Sequence, residues 1–232
     1  MRFGKFFYFT NMTLFITDDG SHSVLSDAFG VSYHSKHGAI QETQHVFIEA
    51  GLKYAVEKGL KDISILEIGF GTGLNAFMTF LEAERLGIKI DYTTVEAYPL
   101  SMSSIFQLNY VEKLEAEAHR SAFETMHTAS YSEKHPLSKN VYFTKILTDF
   151  KHIHFKNTFD IIYFDAFAPE AQPELWETEM MQKMYDALKI NGILITYCAK
   201  GVVKRVMKSV GFSIEKLAGP PGKREMTRAY KK

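Results

Sequence analysis

The stretch from Ile63 to Asn75 constrains the fold of this chain more than any other. The apolar run Ile63 to Ile68 predicts a buried strand, and glycines at positions 69, 71 and 73 follow before a helical pattern begins at Leu74. Glycines let the backbone approach a ligand closely, and the first turn of a helix offers unpaired N–H groups. The order of strand, glycine turn and helix therefore predicts a nucleotide-type ligand site in an α/β fold.

The spacing of the glycines narrows the choice of ligand. Dinucleotide-binding turns usually read G-x-G-x-x-G, whereas this turn reads G-x-G-x-G and has an acid two residues before its first glycine. This pattern resembles the first motif of S-adenosylmethionine-dependent methyltransferases, in which the loop wraps a cationic sulfonium. The resemblance implies cofactor contacts from Glu67, Gly69, Phe70, Gly71, Gly73 and Asn75. A nicotinamide site and a glycine turn without a ligand are the alternatives.

Length and composition favour one globular domain. The chain has 232 residues, of which 46% are hydrophobic, so it can bury a sizeable core. No apolar run reaches the roughly 18 residues that span a bilayer, and the N-terminus is too polar for a convincing signal peptide. The lone Cys198 forms no internal disulfide, which favours a cytoplasmic protein without membrane contact. We expect one domain over 1–232, with an N-terminal hairpin and loop extension at 1–39 and a Rossmann-like core at 40–232.

Two further strands are predicted to end near the ligand. The strand from Lys89 to Glu96 ends in an acid about two dozen residues beyond the glycines, where this fold uses a carboxylate to accept both ribose hydroxyls. A third strand runs from Val141 to Leu147. In methyltransferases the turn after it usually receives the adenine amino group, which makes Asp149 the expected adenine contact. Phe150 is then a contact of the adenine ring or a core residue.

A second stretch with a candidate catalytic residue runs from Phe159 to Pro169. A buried strand delivers Asp165 to its carboxyl end, and Ala-Phe-Ala-Pro follows. This order resembles the fourth motif of methyltransferases that act on amines. A carboxylate there can hold the N–H groups of an amine and turn its lone pair toward the methyl carbon. It is a weak base for an alkyl ammonium unless its pKa is raised, so orientation is the expected role.

The remaining elements complete a familiar architecture. Alternating strands and helices predict a Rossmann-like class I methyltransferase with a doubly wound, mostly parallel sheet of seven strands, preceded by a β-hairpin at 12–34. A helix is expected at 40–58, and Glu42 on its first turns faces either the cofactor or solvent. The histidines between 109 and 140 have no recurrent ligand spacing, so no metal site is expected and this insert has no assigned role.

Three motifs together identify a narrower resemblance. Glu67 to Asn75, Asp165 to Pro169 with the following Pro173-Glu174-Leu175-Trp176, and Gly222-Lys223-Arg224-Glu225-Met226 resemble the tRNA 5-methylaminomethyl-2-thiouridine methyltransferases, in the form that stands alone without an oxidase domain. The resemblance implies S-adenosylmethionine-dependent methylation of the 5-aminomethyl group of (2-thio)uridine at the wobble position of tRNA. It also implies Asp165 as the catalytic residue. The substrate contacts are then Phe167, Pro169, Trp176, Lys223 and Arg224.

The charge distribution agrees with a tRNA partner. From Lys200 to Lys232 there are ten basic residues and two acids, although the whole chain has no net charge. Such an excess can contact phosphates of an anticodon loop, or it can simply be a solvated surface. Two other functions stay open: an aminopropyltransferase or other small-amine methyltransferase, and a non-catalytic S-adenosylmethionine-binding module. The sequence gives no indication of the oligomeric state.

Overall fold

A computed structural model describes residues 12–26 and 29–232, so residues 1–11 of the predicted extension lie outside the described part. The strands are β1 (Met12–Ile16), β2 (His22–Ser26), β3 (Val31–Ser32), β4 (Asp62–Ile68), β5 (Lys89–Glu96), β6 (Lys134–Pro136), β7 (Val141–Leu147), β8 (Phe159–Phe164), β9 (Leu188–Thr196), β10 (Ser213–Ala218) and β11 (Glu225–Tyr230). The α-helices are α1 (Ala39–Thr43), α2 (Tyr54–Glu57), α3 (Leu74–Leu86), α4 (Met102–Ile105), α5 (Tyr110–Lys113), α6 (Arg120–Thr128), α7 (Thr178–Ala187) and α8 (Gly201–Ser209). Single 3₁₀ turns cover Glu117–His119, Phe150–His152 and Pro173–Trp176.

The main sheet confirms the predicted doubly wound fold. Eight strands follow the order β10-β11-β9-β8-β4-β5-β7-β6. Five adjacent strands run parallel to one another: β9, β8, β4, β5 and β7. The prediction of seven strands misses β6, a three-residue edge strand that pairs antiparallel with β7. This strand lies within the insert at 109–140, where the weak hydrophobic pattern gave no strand signal.

The strand order reverses beside β4, and this reversal fixes the position of a ligand site. The chain passes from β4 to β5 on one side and later adds β8 on the other side of β4. Helices that follow neighbouring strands therefore leave on opposite faces, and a crevice opens between them at the carboxyl ends of the strands. The glycine turn follows β4, and Asp165 follows β8, so both predicted motifs lie at this crevice.

The N-terminal extension forms a second, smaller sheet. The predicted hairpin of β1 and β2 is confirmed, with Thr17 to Ser21 as its turn, and β3 adds a third antiparallel strand. Asn109 joins this sheet to the insert, because its side chain accepts from the N–H of His22 and donates to the carbonyl of Gly20. The loop that leaves β3 then crosses the crevice and leads into α1.

The helix predicted at 40–58 is present, with one irregular part. A π-helical segment, Gln44–Lys53, separates α1 from α2. Gly51 lies within it, where an added Cβ would come within 3.0 Å of the Tyr163 ring on β8. Removing the side chain at this position therefore lets the helix pack closely on the sheet. Thr43 at the end of α1 is buried, and its hydroxyl donates to the side-chain oxygen of Asn75 on α3.

The insert at 109–140 supports the glycine turn from its outer side. The Phe123 ring packs on Phe77 of α3, and the His127 ring packs on Phe70 of the turn. The ammonium of Lys145 on β7 donates to the carbonyls of Met126 and His127, 3.1 and 2.5 Å away, and so caps the last turn of α6. Within the described residues, no helix is both long and apolar enough to cross a membrane.

Candidate active site

A cavity of about 280 Å³ opens at the carboxyl ends of β4, β5 and β8, under the loop that follows β3. Its lining combines the glycine turn and the Asp165 loop with side chains from both ends of the chain. The lining residues are Phe29, Val31–Ser35, Glu42, Gly69–Thr72, Leu74, Asn75, Glu96, Tyr98, Phe150, Asp165–Ala168, Gln172, Tyr197 and Lys223. The volume is close to the lower end of the range of about 300–1,000 Å³ that is usual for small-molecule sites.

Strand register brings the three predicted motifs together. Ile68 pairs with Val95 on one side and with Phe164 on the other. The residues that follow are Gly69, Glu96 and Asp165, which therefore stand side by side at one edge of the sheet. The N–H of Asp165 donates to the carbonyl of Ile68 at 3.1 Å, so the first residue of the Asp165 loop is still tied to β4.

The glycine turn has no room for side chains at two positions. Gly69 has a φ of +92°, and an added Cβ would lie 2.9 Å from the carbonyl oxygen of Asp165. Gly71 has a φ of +51°, and its Cβ would lie 2.8 Å from the ring of Tyr33. Other residues rarely adopt such φ values, so the turn depends on glycine for its conformation and for its close neighbours.

Glu96 is held by the turn that it faces. One carboxylate oxygen accepts from the N–H of Gly71 at 2.9 Å, and the other accepts from the N–H of Tyr98 at 2.6 Å. Glu96 also lines the cavity, so its carboxylate oxygens, which accept hydrogen bonds, are within reach of a ligand there. This arrangement fits the predicted pair of ribose hydroxyls. Burial raises the pKa of Glu96, while the backbone hydrogen bond from Gly71 opposes that rise.

Asp165 is positioned by a short relay of side chains. The amide nitrogen of Asn75, on the first turn of α3, donates to Asp165 Oδ2 at 2.8 Å. The amide oxygen of Asn75 accepts from the hydroxyl of Thr43 at 2.9 Å, which fixes which end of the amide faces Asp165. Burial, and next the charge of Glu42, raise the pKa of Asp165 to about 7. Half of the Asp165 side chains are therefore ionised near neutral pH.

Glu42 is the second carboxylate on this side of the cavity. It is 7% exposed, and its oxygens accept from Lys223 Nζ at 2.6 Å and from the N–H of Ser35 at 2.8 Å. The Lys223 ammonium also lies 3.8 Å from the centre of the Tyr197 ring. Tyr197 in turn donates its hydroxyl to the carbonyl of Ala166, next to Asp165. One ion pair thus links the loop after β3, helix α1 and the turn before β11.

A row of aromatic rings covers the cavity. Tyr33 contacts Phe167 edge to face with 4.9 Å between centroids, and Phe29 lies 5.0 Å from Phe167 and 5.7 Å from Tyr98. Tyr33 and Phe29 come from the N-terminal sheet, and Phe167 from the loop after β8. The placement of Phe167 fits its predicted role as a stacking surface for a base.

Two predicted site residues lie in the core instead. Trp176 is 4% exposed, packs edge to face on Phe164, and donates its indole N–H to the carbonyl of Phe167 at 2.8 Å. It therefore cannot offer a face to a substrate, and its contact is the support of Phe167. Glu67 is fully buried under the glycine turn and does not line the cavity. Burial raises the pKa of Glu67 well above its usual range, which favours the neutral acid.

Four other predicted residues lie around the cavity rather than in it. Asp149 is half exposed and pairs with Lys151, whereas its neighbour Phe150 does line the cavity. Pro169 and Arg224 line a shallower groove that adjoins the cavity at Ala168, Tyr197 and Lys223. Gly73 lies behind the turn, where an added Cβ would come within 2.7 Å of His127 Nε2. Their predicted roles remain predictions.

Sequence reasoning missed part of the lining. Tyr33, Phe29 and Tyr197 carry no motif of their own, and Glu42 had two equally plausible environments. The signal that could have identified Glu42 is its place on the first turn of a helix that leads into the glycine strand. The partners of these residues come from distant positions: 181 residues separate Glu42 from Lys223. Spacing along the chain therefore gave no indication of the pair.

The charges in the cavity suit a cationic ligand better than a phosphate. Three carboxyl groups, Glu42, Glu96 and Asp165, face one lysine, Lys223, among the described lining residues. Burial lowers the pKa of His34 to about 4, so its ring is neutral at physiological pH. A pyrophosphate would meet three acids here, whereas a sulfonium with an ammonium tail would be attracted to them. The glycine turn, the Glu96 carboxylate and this charge balance fit S-adenosylmethionine.

Comparisons with known proteins agree with this assignment. The model of a family described as S-adenosyl-L-methionine-dependent methyltransferase matches residues 109–232. Two curated relatives are named tRNA 5-methylaminomethyl-2-thiouridine biosynthesis bifunctional protein MnmC. The one from Aromatoleum aromaticum is 29% identical over 93% of this chain and 34% of its own length. The one from Leptospira borgpetersenii is 28% identical over 87% of this chain and 32% of its own length.

The chain thus spans about a third of the length of these relatives. Among solved structures, MNMC2 from Aquifex aeolicus aligns with a TM-score of 0.76 and 23% identity, over 96% of this chain and 70% of its own. A spermidine synthase from Thermotoga maritima aligns with a TM-score of 0.52 and 12% identity, over 96% of this chain and 72% of its own. These likenesses confirm the Rossmann-like fold. The relatives' names agree with the resemblance seen in the motifs. Because the family model matches more than half of its residues, the chain belongs to the S-adenosyl-L-methionine-dependent methyltransferases.

Proposed function

We propose that this protein methylates the 5-aminomethyl group of (2-thio)uridine at the wobble position of tRNA. The observation that carries the proposal is Asp165, a carboxyl group with a pKa raised to about 7 and a fixed orientation, at the floor of a cavity suited to a cationic cofactor. An amine acceptor needs such a group. The names of the relatives supply the substrate class, since they refer to 5-methylaminomethyl-2-thiouridine in tRNA.

The residues of the chain prepare the amine for transfer. S-adenosylmethionine, when bound, supplies a methyl group on a positively charged sulfur. Asp165 accepts hydrogen bonds from the N–H groups of the amine, and the nitrogen lone pair is then directed into the cavity. Asn75 and Thr43 keep the Asp165 carboxyl group in one orientation, so little reorganisation is needed when the amine arrives. The glycine turn and Glu96 hold the other side of the cavity, where a ribose fits.

The aromatic row provides a surface for the uracil ring. Bases in an anticodon loop can be splayed out of their stack and placed against aromatic side chains. Phe167 lies directly after Asp165 and Ala166, so a base stacked on it brings its 5-substituent toward the Asp165 carboxyl group. Tyr33 and Phe29 contact the Phe167 ring and line the same cavity.

Basic residues outside the cavity supply contacts for the tRNA backbone. Arg224 lines the adjoining groove, and Arg205 and Lys208 are exposed on α8. Among the described residues these three have no ion pair within 4.0 Å, unlike Lys204, which pairs with Glu225. Positively charged side chains of this kind bind phosphates irrespective of sequence. A tRNA substrate would also place the protein in the cytoplasm, as the single cysteine suggested.

The test is transfer of label from methyl-labelled S-adenosylmethionine to tRNA isolated from cells that lack this protein. Label in the wobble nucleoside, identified after digestion as 5-methylaminomethyl-(2-thio)uridine, is the expected result. Fully modified tRNA is the control and should take up none. Label that enters only free amines would indicate a small-amine methyltransferase. Binding of the cofactor without any transfer would indicate a sensing module, and either outcome would overturn the proposal.

A further inference from the structure

The acceptor side of the cavity contains an ion pair that the proposed function does not use. Glu42 and Lys223 lie in the same cavity as Asp165, and neither reaches the glycine turn or Glu96 through a hydrogen bond in the described residues. Glu42 is held by two donors, the ammonium of Lys223 and the N–H of Ser35. The ion pair therefore lies in the same cavity as Asp165 before any substrate binds.

The two charges act on Asp165 in opposite directions. The charge of Glu42 raises the pKa of Asp165, whereas the hydrogen bond from Asn75 and the charge of Lys223 lower it. Burial raises the pKa of the other titratable groups that interact with Asp165, namely Glu67, Tyr92 and Tyr197, well above their usual values. Glu42 and Lys223 are thus the charged groups that set the ionisation of Asp165 from the described part of the chain.

We propose that the Glu42–Lys223 pair is a positioning pair that tunes Asp165 to act as the proton acceptor for the substrate amine. The inference rests on the proposed function, because it assumes an amine acceptor. Glu42 increases the proton affinity of Asp165, and Lys223 limits that increase. The pair is anchored by Ser35 on one side and by the Tyr197 ring on the other, and the Tyr197 hydroxyl donates to the carbonyl of Ala166, next to Asp165. Neither residue needs to touch the substrate.

The proton balance of the step is simple. The acceptor arrives as an alkyl ammonium, and the Asp165 carboxylate takes one proton from it, which leaves the nitrogen with its lone pair. That lone pair forms the new N–C bond as the S–C bond breaks, and sulfur keeps the electron pair of the broken bond. The product is a secondary ammonium. Asp165 later releases its proton to water, and both the nitrogen and the carboxylate regain their starting charges.

Two substitutions in the same ion pair distinguish an effect on the ionisation of Asp165 from a purely structural role of the pair. Glu42→Gln removes the negative charge, so the proton leaves Asp165 more easily and the acidic limb of the pH–rate profile should move down by roughly one pH unit. Lys223→Met removes the positive charge, so the limb should move up by a similar amount. Both variants break the same ion pair, and a purely structural pair would give equal losses of rate with no displacement of the limb.

A second measurement makes the test independent of catalysis. The side-chain carboxyl carbon of Asp165, assigned by its absence in Asp165→Asn, is titrated by NMR in the cofactor-free protein. Its midpoint should be near pH 7 in the wild type, lower in Glu42→Gln and higher in Lys223→Met. Two exposed residues serve as controls for the charge changes: Glu57→Gln on α2 and Lys61→Met before β4 should leave the midpoint unchanged.

The outcomes are distinguishable from failure of the proposed function. If the tRNA takes up no label but the NMR midpoints move in opposite directions, the tuning is present and the substrate is wrong. If the tRNA is methylated and both midpoints stay at the wild-type value, the tuning proposal is overturned. Shifts in the same direction for both variants would also overturn it, since they would report a common structural change.

Discussion

The two sides of the cavity are built in different ways. On the cofactor side, the glycine turn and Glu96 extend directly from β4 and β5, and hydrogen bonds between them close the structure. On the acceptor side, Asp165 extends from β8, but its environment is assembled from Glu42 near the N-terminus and Lys223 near the C-terminus. The first side depends on strand register alone. The second depends on loops that must close over the sheet.

This difference suggests a division of labour. Strand ends in a parallel sheet are rigid and recur in every protein of this architecture, so they suit a cofactor that the family shares. Loops can change their residues without altering the sheet, which makes them suitable for recognition of a particular acceptor. The carboxyl group of Asp165 stands on the boundary, because a strand positions it and the loops set its ionisation.

The largest expected effect follows from removing the negative charge of Asp165. Asp165→Asn preserves the shape but no longer offers a carboxylate to the amine, so kcat should fall by roughly 10²-fold or more. The wild-type rate should rise with pH as Asp165 ionises near pH 7, and that limb should disappear in the variant. The check is the single-turnover rate, measured at several pH values with tRNA from cells that lack this protein.

Binding measurements on the same variant show whether the loss of rate arises in binding or in the chemical step. Cofactor and tRNA binding to Asp165→Asn should stay within a few-fold of wild type, since Glu96 and the backbone phosphates supply those contacts. A variant that turns over at nearly the wild-type rate would show that another group holds the amine. The polar loop of Tyr33 to His37, which lies over the cavity, would then be examined first.

An intermediate effect is expected on the cofactor side. Glu96→Ala removes a charged acceptor from two proposed ribose hydroxyls and leaves the N–H of Gly71 unpaired, so cofactor binding should weaken by roughly 1–3 kcal/mol. Calorimetry with S-adenosylmethionine measures this directly. Asp62→Ala is the control for loss of a carboxylate, because Asp62 is exposed at the opposite end of β4 from the glycine turn. Unchanged affinity in Glu96→Ala would remove Glu96 from the ribose role.

The same contrast explains how far the sequence could be interpreted. Strands β4, β5, β7 and β8 were predicted within a residue of their bounds, since each is a short apolar run between clear turn signals. Gly69, Glu96 and Asp165 could be placed together because parallel strands end at one edge. Strand β6 was missed, since an edge strand of only three residues, Lys-His-Pro, carries no periodic signal.

The errors within the site have a common physical cause. A motif gives the order of residues along the chain, but it does not give the direction of a side chain at a turn. Trp176 lies close to Phe167 in sequence, yet its 3₁₀ turn directs the indole into the core. Glu67 precedes the glycine turn, but as a residue within β4 it is buried under that turn. Lys223 lines the cavity while it pairs with Glu42, so its predicted substrate contact is not among these errors and remains a prediction.

The smallest effect is expected outside the cavity, on the basic surface around Arg224. Arg224 is the neighbour of Lys223, but its side chain is exposed and lines the adjoining groove. If it contacts a phosphate, Arg224→Ala should weaken tRNA binding several-fold and reduce the slope of log K against log salt by about one. Cofactor affinity and the position of the acidic limb on the pH axis should not change, because Arg224 does not line the cavity.

Lys223→Met should show the converse pattern, with a displaced acidic limb and a nearly unchanged salt slope. Filter binding of tRNA at four or five salt concentrations, together with the pH–rate profiles, separates the two adjacent residues. Equal salt slopes in Arg224→Ala and wild type would mean that the groove does not bind the backbone, and the tRNA contact would have to be sought on α8.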